Sequence, residues 1–471
     1  MAEKIILINP SYSDSLSMIR GSAWMAMPMG LLYLAAALER EGHAVKVIDM
    51  QISGSAVPDI KAIIEKEKPS FVGITAVTAM INRALVLCKI VKEINQDIYT
   101  LLGGSHPTAL PMETINHQAV DIVISGEGEV SICEVVDFLS KHPGRIGEVK
   151  GIYYKKEGSA IFAGERKVLE DLDSLPFPAW HLVDLKSYRH PLARSNSFAS
   201  VLTSRGCPRK CTFCSRGVFA NTYRMRSAGN VLEEISRLME KFDVNEIHFV
   251  DDTFTLDRKH IEGICRGIID RSWKLRWATP NGVQVNTLDE ELLLMMKRAG
   301  CYSLSFGVES GNQETLDSVK KGQKLEKIKQ VFDICHRIGI ETVAFIIIGF
   351  PNEGRKEIDQ TLRFLKEIRA DIADIHLLIP LPGTELFEQL NAKGYIIERD
   401  WSKYVFHSLP VYRTDHFSQI ELFDQYKRVY REYHLRISYI ISRLMRLRSL
   451  PEIRNHLGGF LTLLKMQYRS C

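Results

Sequence analysis

Short apolar segments of strand length alternate with amphipathic helical segments at the start of this 471-residue chain. Within residues 1–145 the strand candidates are KIILIN, AVKVID, FVGITA, IYTLLGG and DIVISGE, and MGLLYLAAALEREG is one of the helical segments between them. Strands that alternate with helices pair in parallel through right-handed crossovers. The alternation therefore predicts an α/β fold that begins with a flavodoxin-like, doubly wound parallel sheet of about five strands.

The same alternation returns in residues 198–395, where six strand candidates occur in FASVLTS, EIHFVDD, LRWATP, YSLSFGVES, TVAFIIIGF and DIHLLIPLP. Six such units predict a partial (β/α)6 TIM barrel, in which chemistry takes place at the carboxyl ends of the strands. Residues 146–197 are predicted to be a connector, with a hairpin in GIYYKKEGSAIFAG and an extended, proline-rich LDSLPFPAWHL. Residues 396–471 are predicted to form a helical, basic C-terminal extension.

Composition restricts the classes of protein to which this chain can belong. Hydrophobic residues make up 45% and charged residues 25% of the chain, as in soluble globular proteins, and no apolar run approaches the roughly 20 residues that span a bilayer. The first residues, MAEKIILINP, lead directly into a strand and lack the layout of a signal peptide. Six of the nine cysteines occur singly, which indicates a reducing, cytoplasmic location. The net charge of +4 favours no particular partner, and no nucleic-acid partner is predicted.

Three cysteines lie close together in CPRKCTFC, at Cys207, Cys211 and Cys214. A disulfide would leave one thiol over, and a structural zinc site needs four ligands, whereas no histidine occurs between His190 and His248. A four-iron cluster is normally held by four thiolates, so three of them leave one iron open to bind another molecule. The spacing therefore favours a 4Fe-4S cluster with one open iron.

The C-x3-C-x2-C spacing, on the loop after the first strand of a partial barrel, resembles the motif of the radical S-adenosylmethionine enzymes. The resemblance implies that the open iron binds the amino and carboxylate groups of S-adenosylmethionine. It also implies that an electron from the cluster cleaves the sulfonium to give a 5′-deoxyadenosyl radical, while the protein supplies position and excludes water.

Other segments resemble further parts of that family. The contacts with S-adenosylmethionine that the resemblance implies are Phe213 near the adenine, Asp251 and Asp252 near the amino group, Glu309 and Ser310 near the ribose and carboxylate, and Ile347 and Gly349 at the adenine. Two positions depart from the family pattern. Phe345 stands where a glycine is expected, and Gln284 stands where many relatives have an arginine, which puts a direct contact from Gln284 in doubt.

The first domain resembles the cobalamin-binding domain of the B12-dependent radical S-adenosylmethionine class, through NPSY, PMGLLYLAAALEREGH, GGSHPT and SGEGE. The resemblance extends from residue 1 to about residue 395. Ligands of such sheets bind beyond the carboxyl ends of the strands. The implied cobalamin contacts at those ends are Asn9, Pro10, Thr75, Thr78, Gly103, Gly104, Gly126 and Glu127.

The lower face of the cobalt is predicted to lack a histidine ligand. In one type of B12 site a histidine in a D-x-H-x-x-G loop after the first strand binds cobalt, but this chain has no histidine before His43. DMQISG has Gln51 in the histidine position and follows the second strand instead. His106 is an alternative ligand, although it comes after the glycines on the phosphate side. We therefore expect base-off cobalamin, with its nucleotide tail buried between Thr75 and Gly104.

Together the two resemblances imply a cobalamin-dependent radical enzyme that methylates an unactivated carbon through a 5′-deoxyadenosyl radical and methylcobalamin. A non-methylating cyclisation or rearrangement is the alternative, since the chain equally resembles the subgroup with the anaerobic magnesium-protoporphyrin cyclase and hopanoid-processing enzymes. A non-catalytic B12 or redox sensor is a third hypothesis, which the intact cysteine triad disfavours. The implied partners are a small-molecule, lipid or peptide substrate and an electron donor such as flavodoxin or ferredoxin.

The chain from Lys427 onward is strongly basic, with ten lysines and arginines against Glu432 and Glu452. Apolar residues recur beside them at helical spacing, namely Leu435, Tyr439, Ile440, Leu444 and Leu447. A basic amphipathic helix of this kind can lie on an anionic membrane surface. It can equally pack on the barrel with its arginines facing water or an acidic partner. Both interpretations of the extension remain open at this stage.

Overall fold

A computed structural model describes residues 2–12, 26–54, 57–406 and 408–446 of the chain. The described residues form two α/β units, each built on its own sheet, and two C-terminal helices. None of the helices in these ranges is both long enough and apolar enough to cross a membrane.

The first unit contains strands β1–β7 and helices α1–α7. In chain order these are β1 (Lys4–Asn9), α1 (Met29–Arg40), β2 (Ala44–Asp49), α2 (Met50–Ser53), α3 (Val57–Glu67), β3 (Phe71–Thr75), α4 (Ile81–Ile94), β4 (Tyr99–Gly103), α5 (Ser105–Ala109), α6 (Pro111–Ile115), β5 (Ile122–Ile124), α7 (Glu129–Lys141), β6 (Ile152–Lys156) and β7 (Ser159–Phe162).

The first sheet has the strand order β2-β1-β3-β4-β5-β6-β7 within the described residues. Strands β1 to β5 pair in parallel, as the alternation predicts. The hairpin of β6 and β7 is also present where the sequence predicts it, in the connector, but β6 pairs antiparallel with β5. The start of the predicted connector therefore extends the first sheet.

The second unit contains strands β8–β15 and helices α8–α14. In chain order these are β8 (Phe198–Val201), β9 (Ser204–Arg205), β10 (Arg224–Met225), α8 (Ala228–Phe242), β11 (Glu246–Phe249), α9 (Arg258–Asp270), β12 (Arg276–Val283), α10 (Glu290–Arg298), β13 (Cys301–Glu309), α11 (Gln313–Ser318), α12 (Leu325–Ile338), β14 (Glu341–Ile348), α13 (Arg355–Glu367), β15 (Ile372–Leu377) and α14 (Glu385–Ala392).

The second sheet is a six-stranded parallel sheet of order β15-β14-β13-β12-β11-β8 in the part of the chain that is described. Successive side chains of a strand point to opposite faces. On β13, Leu304 and Phe306 pack into the apolar core under the helices, so Ser303, Ser305 and Glu309 lie on the other, inner face. The predicted partial barrel after a doubly wound sheet is thus confirmed.

Two helices, α15 (Gln419–His434) and α16 (Ile437–Arg446), follow the barrel. Helix α15 buries Tyr426, Val429 and Tyr433 in the barrel's core, and Arg428 binds Asp359 of α13 at 2.6 Å. The described part of the basic extension therefore packs against the barrel. The side chains of Leu444 and Leu447, and the chain beyond Arg446, lie outside the described part.

Candidate active site

The three cysteines of the motif lie on the loop of residues 206–223, which joins the short antiparallel strands β9 and β10. All three thiols are free, and Cys211 is buried with its sulfur 3.8 Å from the carbonyl oxygen of Lys320. The backbone N–H of Thr212 donates to the carbonyl of Val319, and its own carbonyl accepts from Leu386. The loop is therefore held against the residue that follows α11 and the first turn of α14.

The three thiols match a cluster by donor type, although their surroundings disfavour the ionised form of Cys211. Burial raises the pKa of Cys211, and Glu309 and Cys207 raise it further, while Lys321 acts in the opposite direction. No group of three His, Cys, Asp or Glu side chains in the described ranges is already arranged as a metal site. Three soft thiol donors on one loop nevertheless match the ligand set of a cluster, and binding it would require their deprotonation.

A buried ion pair lies beside this loop. The Lys321 ammonium is 2.5 Å from a carboxylate oxygen of Glu309, and a Cβ on Gly307 would fill the same space, at 2.5 Å from Glu309 and 2.6 Å from Lys321. Burial lowers the pKa of Lys321, but Glu309 and then Cys211 outweigh it, so the pKa is raised overall. Lys321 also lies 6.0 Å from the ring centre of Phe213. The structure thus brings Phe213 and Glu309 together with the cysteines, and it adds a cation that the sequence analysis missed.

Asp251, at the end of the second barrel strand, is fully buried. Its Oδ1 accepts hydrogen bonds from the backbone N–H and hydroxyl groups of both Thr203 and Ser204, which lead into the cysteine loop. Its Oδ2 has no hydrogen-bond partner among the described residues, and burial raises the pKa of Asp251 to about 6 despite those hydrogen bonds. Asp252 accepts from the backbone N–H of Gly206 at 3.2 Å. One oxygen of Asp251 therefore holds the loop, and the other fits a ligand's donor group.

The loop after β14 is organised by Glu353, which the sequence analysis did not single out. One carboxylate oxygen accepts from the backbone N–H groups of Gly349 and Phe350 at 3.0 and 3.1 Å, and the other accepts from the Ser310 hydroxyl at 3.0 Å. Ile347 is half-buried at the end of β14. Ser310 and Gly349, predicted as cofactor contacts, are therefore joined through one buried carboxyl group.

Gln284 has a partner of its own. Its side-chain oxygen accepts from Arg209 Nε of the cysteine loop at 2.8 Å. The side-chain oxygen of Gln284 is therefore engaged by a guanidinium of the cysteine loop. That Gln284 makes no direct contact with the cofactor stays a prediction.

At the carboxyl edge of the first sheet, Asn9 is held by its neighbours. Its amide donates to Asp49 at 3.0 Å, Tyr188 donates to the other oxygen of Asp49, and Pro10 is buried. Thr75 and Gly103 are paired on β3 and β4. Gly104 has a φ of 103°, and an added Cβ would lie 2.8 Å from the Thr75 hydroxyl, so only glycine fits.

His106 lies next to these residues and is completely buried. Its Nδ1 is 3.3 Å from the Thr78 hydroxyl, and the edge of the imidazole contacts Trp401 with ring centres 5.3 Å apart. Nε2 has no hydrogen-bond partner in the described part of the chain, and burial lowers the pKa of His106 to about 4. His106 is therefore neutral near pH 7.

The SGEGE loop of the first unit faces the cysteine loop. The backbone N–H of Gly126 donates to Thr108 at 3.0 Å, and a Cβ on Gly126 would lie 3.6 Å from the carbonyl of Val218. Both carboxylate oxygens of Glu127 are paired, one with Arg205 at 2.9 Å and one with Arg224 at 2.8 Å. The predicted contact of Glu127 with cobalamin would have to compete with these two arginines.

Comparisons with known proteins agree with both halves of this arrangement. Residues 201–365 match the family model of the radical SAM superfamily, and residues 25–136 match that of the B12 binding domain. An uncharacterized methyltransferase of Pyrococcus horikoshii is 34% identical over 443 residues, which cover 93% of this chain and 94% of that protein. The anaerobic magnesium-protoporphyrin IX monomethyl ester cyclase of Rubrivivax gelatinosus is 29% identical over 447 residues, covering 93% and 78%.

A solved structure shows the same fold. The cobalamin-dependent S-adenosylmethionine radical enzyme OxsB, with aqua-cobalamin and S-adenosylmethionine bound, superposes with a TM-score of 0.75 at 17% sequence identity, covering 98% of this chain and 72% of that one. The chain therefore belongs to the radical S-adenosylmethionine enzymes that carry an N-terminal cobalamin-binding domain.

Proposed function

We propose that this protein is a cobalamin-dependent radical S-adenosylmethionine methyltransferase that methylates an unactivated carbon atom. The observation that carries the proposal is the direct contact between the cysteine loop and the strand-end loops of the first unit. A Cβ on Gly217 would lie 3.2 Å from Thr108, and one on Gly126 would lie 3.6 Å from Val218. Two cofactor sites on adjoining loops can act on one substrate held between them.

The residues on these loops have distinct proposed roles. Cys207, Cys211 and Cys214 would hold the cluster. When bound, the cluster supplies the electron that cleaves S-adenosylmethionine, and cobalamin supplies the methyl carrier. The proposed partner of Asp251 Oδ2, which has no hydrogen-bond partner among the described residues, is an amino group. The proposed partner of the Lys321 ammonium, besides Glu309, is a carboxylate of the cofactor. A flavodoxin or ferredoxin is the proposed electron donor, and the proposed substrate is a small molecule, a lipid or a peptide.

The cobalamin is proposed to be base-off, without a histidine below the cobalt. His106 is the alternative histidine ligand for the cobalt that the sequence offers, and its ring is fully buried between Thr78 and Trp401. Cobalt without a strong nitrogen donor below it releases a methyl group to a carbon radical more readily. The proposed absence of the ligand is therefore consistent with radical methyl transfer.

A non-methylating cyclase is the second candidate, and the 29% identity to the Rubrivivax gelatinosus cyclase over 93% of the chain favours keeping it. The two functions differ in how they use S-adenosylmethionine. Anaerobically reconstituted protein, supplied with cobalamin, a reductant and candidate substrates, should form S-adenosylhomocysteine beside 5′-deoxyadenosine if it is a methyltransferase. A competent substrate that yields 5′-deoxyadenosine alone would establish the cyclase or rearrangement function.

The cluster itself has a separate test. Cys207→Ala, Cys211→Ala and Cys214→Ala should each abolish reductive cleavage of S-adenosylmethionine, because each removes a ligand. Cys335→Ala is the control, since Cys335 is fully buried on α12, and it should retain cleavage. Equal loss in all four variants would mean a different ligand set. A wild-type protein that binds cobalamin but cleaves no S-adenosylmethionine would instead support the sensor hypothesis.

A further inference from the structure

Four charged side chains connect the cobalamin-binding domain to the base of the cysteine loop, and we call them the ionic clasp: Glu127, Glu129, Arg205 and Arg224. Arg205 binds Glu127 at 2.9 Å and Glu129 at 2.6 Å, and Arg224 binds the second oxygen of Glu127 at 2.8 Å. The two carboxylates belong to the SGEGE loop and the start of α7, and the two arginines belong to β9 and β10. The clasp therefore spans the two units.

The clasp is buried and its charges balance. Its four side chains are between 4% and 9% exposed. The Arg205 guanidinium lies between the rings of Tyr33 and Phe219, at 5.0 and 5.2 Å. Arg224 also donates to the backbone carbonyls of Leu169 and Phe219. Buried ion pairs often contribute little net stability, but separating them leaves uncompensated buried charges, which opposes movement of the two loops apart.

The two arginines of the clasp lie where the two ends of the cysteine loop come together, which we call the neck of the loop, and their backbones pair there. Arg205 and Arg224 are opposite each other in the β9–β10 ladder, and Cys207 follows Arg205 by two residues. A Cβ on Gly206 would come within 2.2 Å of the carbonyl of Thr222, so the neck is tightly closed. A displacement of Glu127 would therefore move the base of the loop that carries all three thiols.

We infer that Glu127, Arg205 and Arg224 are positioning residues that make the cobalamin site and the S-adenosylmethionine site interdependent. The ionic clasp fixes the SGEGE loop to the base of the cysteine loop, so a cofactor that holds either loop in this geometry holds the other loop in it as well. Each cofactor then raises the affinity of the other by the same factor, as linkage requires. This inference rests on the two cofactor sites proposed above.

The test measures the dissociation constant of S-adenosylmethionine on cluster-reconstituted protein, by anaerobic equilibrium dialysis, with and without saturating hydroxocobalamin. In the wild type, cobalamin should lower this constant by about 5-fold or more, the lower end of typical couplings. Glu127→Gln removes the charge that both arginines share, and it should bring the ratio close to one at a hydroxocobalamin concentration that cobalamin absorbance shows to be saturating for the variant. Glu129→Gln, which leaves Glu127 in place, is a milder second variant and should give an intermediate ratio.

The matched control is Glu341→Gln. Glu341 also bridges two arginines, Arg194 at 3.3 Å and Arg443 at 3.0 Å, but it starts β14 at the opposite end of the barrel. This variant should keep the wild-type ratio. The inference would be overturned if cobalamin did not change the dissociation constant of S-adenosylmethionine in the wild type. It would also be overturned if Glu127→Gln kept the wild-type ratio, or if Glu341→Gln lowered the ratio as much as Glu127→Gln does. If Glu127→Gln does not fold, an unchanged ratio in Glu129→Gln overturns it. Wild-type protein that binds neither cofactor would refute the proposed function itself, and the inference with it.

Discussion

Glu353 is a fully buried carboxyl group, and its replacement by glutamine should remove a cost of folding that depends on pH. The glutamine amide has nearly the same shape as the carboxyl group. Its oxygen can accept from the backbone N–H groups of Gly349 and Phe350, and its NH₂ group can donate to the Ser310 oxygen. Glu353→Gln therefore keeps the hydrogen bonds and removes only the ability to ionise.

The direction of the effect follows from the raised pKa. Burial raises the pKa of Glu353 from 4.5 to about 7, and the hydrogen bonds from Gly349, Ser310 and Phe350 oppose this rise. The folded protein thus holds this proton up to a higher pH than the unfolded chain does. The contribution of the group to stability is most favourable below the unfolded pKa and is lost as the pH rises from about 4.5 to about 7. Each pKa unit corresponds to about 1.4 kcal/mol, so the loss between about pH 5 and about pH 7.5 is about 2 kcal/mol.

Urea unfolding of the wild type and of Glu353→Gln, followed across this pH range, measures the effect. The two proteins should be similar in stability near pH 5, and the variant should be more stable by about 2 kcal/mol near pH 7.5. Other titrating groups are common to both proteins, so their contributions cancel in the difference. A difference in the free energy of unfolding that stays constant with pH would refute the reasoning.

Three further changes test other parts of the structure. Gly349→Ala should cost about 2 to 4 kcal/mol, because φ is 102° and an added Cβ would lie 2.5 Å from the Tyr412 hydroxyl. The control is Gly394→Ala, which should cost only about 1 kcal/mol, because φ is 66° and no atom lies within 4 Å of the added Cβ. If urea unfolding shows equal losses of stability in the two variants, the clash with Tyr412 is not the cause. His106→Ala should leave the EPR spectrum of bound cob(II)alamin unchanged, whereas nitrogen splitting that disappears in the variant would identify His106 as a cobalt ligand. Any flotation of the protein with anionic liposomes at low salt should be lost on truncation after Leu435, which removes α16 and the chain beyond it, and flotation that persists would place the membrane contact elsewhere.

The two sheets and the cysteine loop were predictable because they depend on local patterns. Alternating strands and helices permit few topologies, and the spacing of Cys207, Cys211 and Cys214 is contained within eight residues. The hairpin of β6 and β7 was predictable for the same reason. Its pairing with β5 was not, since an edge strand accepts any neighbour that the chain brings alongside it.

The partners of the buried charges could not be read from the sequence. Glu127 binds Arg205 and Arg224, which lie 78 and 97 residues further along the chain. The sequence predicts Glu127, Asp251, Asp252 and Glu309 as cofactor contacts, because the position of a carboxyl group at a strand end shows only that it is near the site. Which oxygen remains available, as Asp251 Oδ2 does, depends on the donors that the fold places around it.

The C-terminal helices α15 and α16 contact the open edge of the partial barrel. A closed barrel has no edges, whereas six strands leave β15 as an edge strand with backbone groups that no further strand pairs. Side chains of α15 and α16 contact backbone carbonyls just before β15 and at its start. Tyr433 donates to the carbonyl of Ala370 at 3.0 Å, His434 Nε2 lies 3.0 Å from the carbonyl oxygen of Ala373, and Arg443 donates to the backbone carbonyl of Asp371 at 3.3 Å. These contacts account for Tyr433, His434 and Arg443, whereas Ile437 and Ile441 on α16 are exposed, so α16 and the chain after it remain candidates for membrane contact.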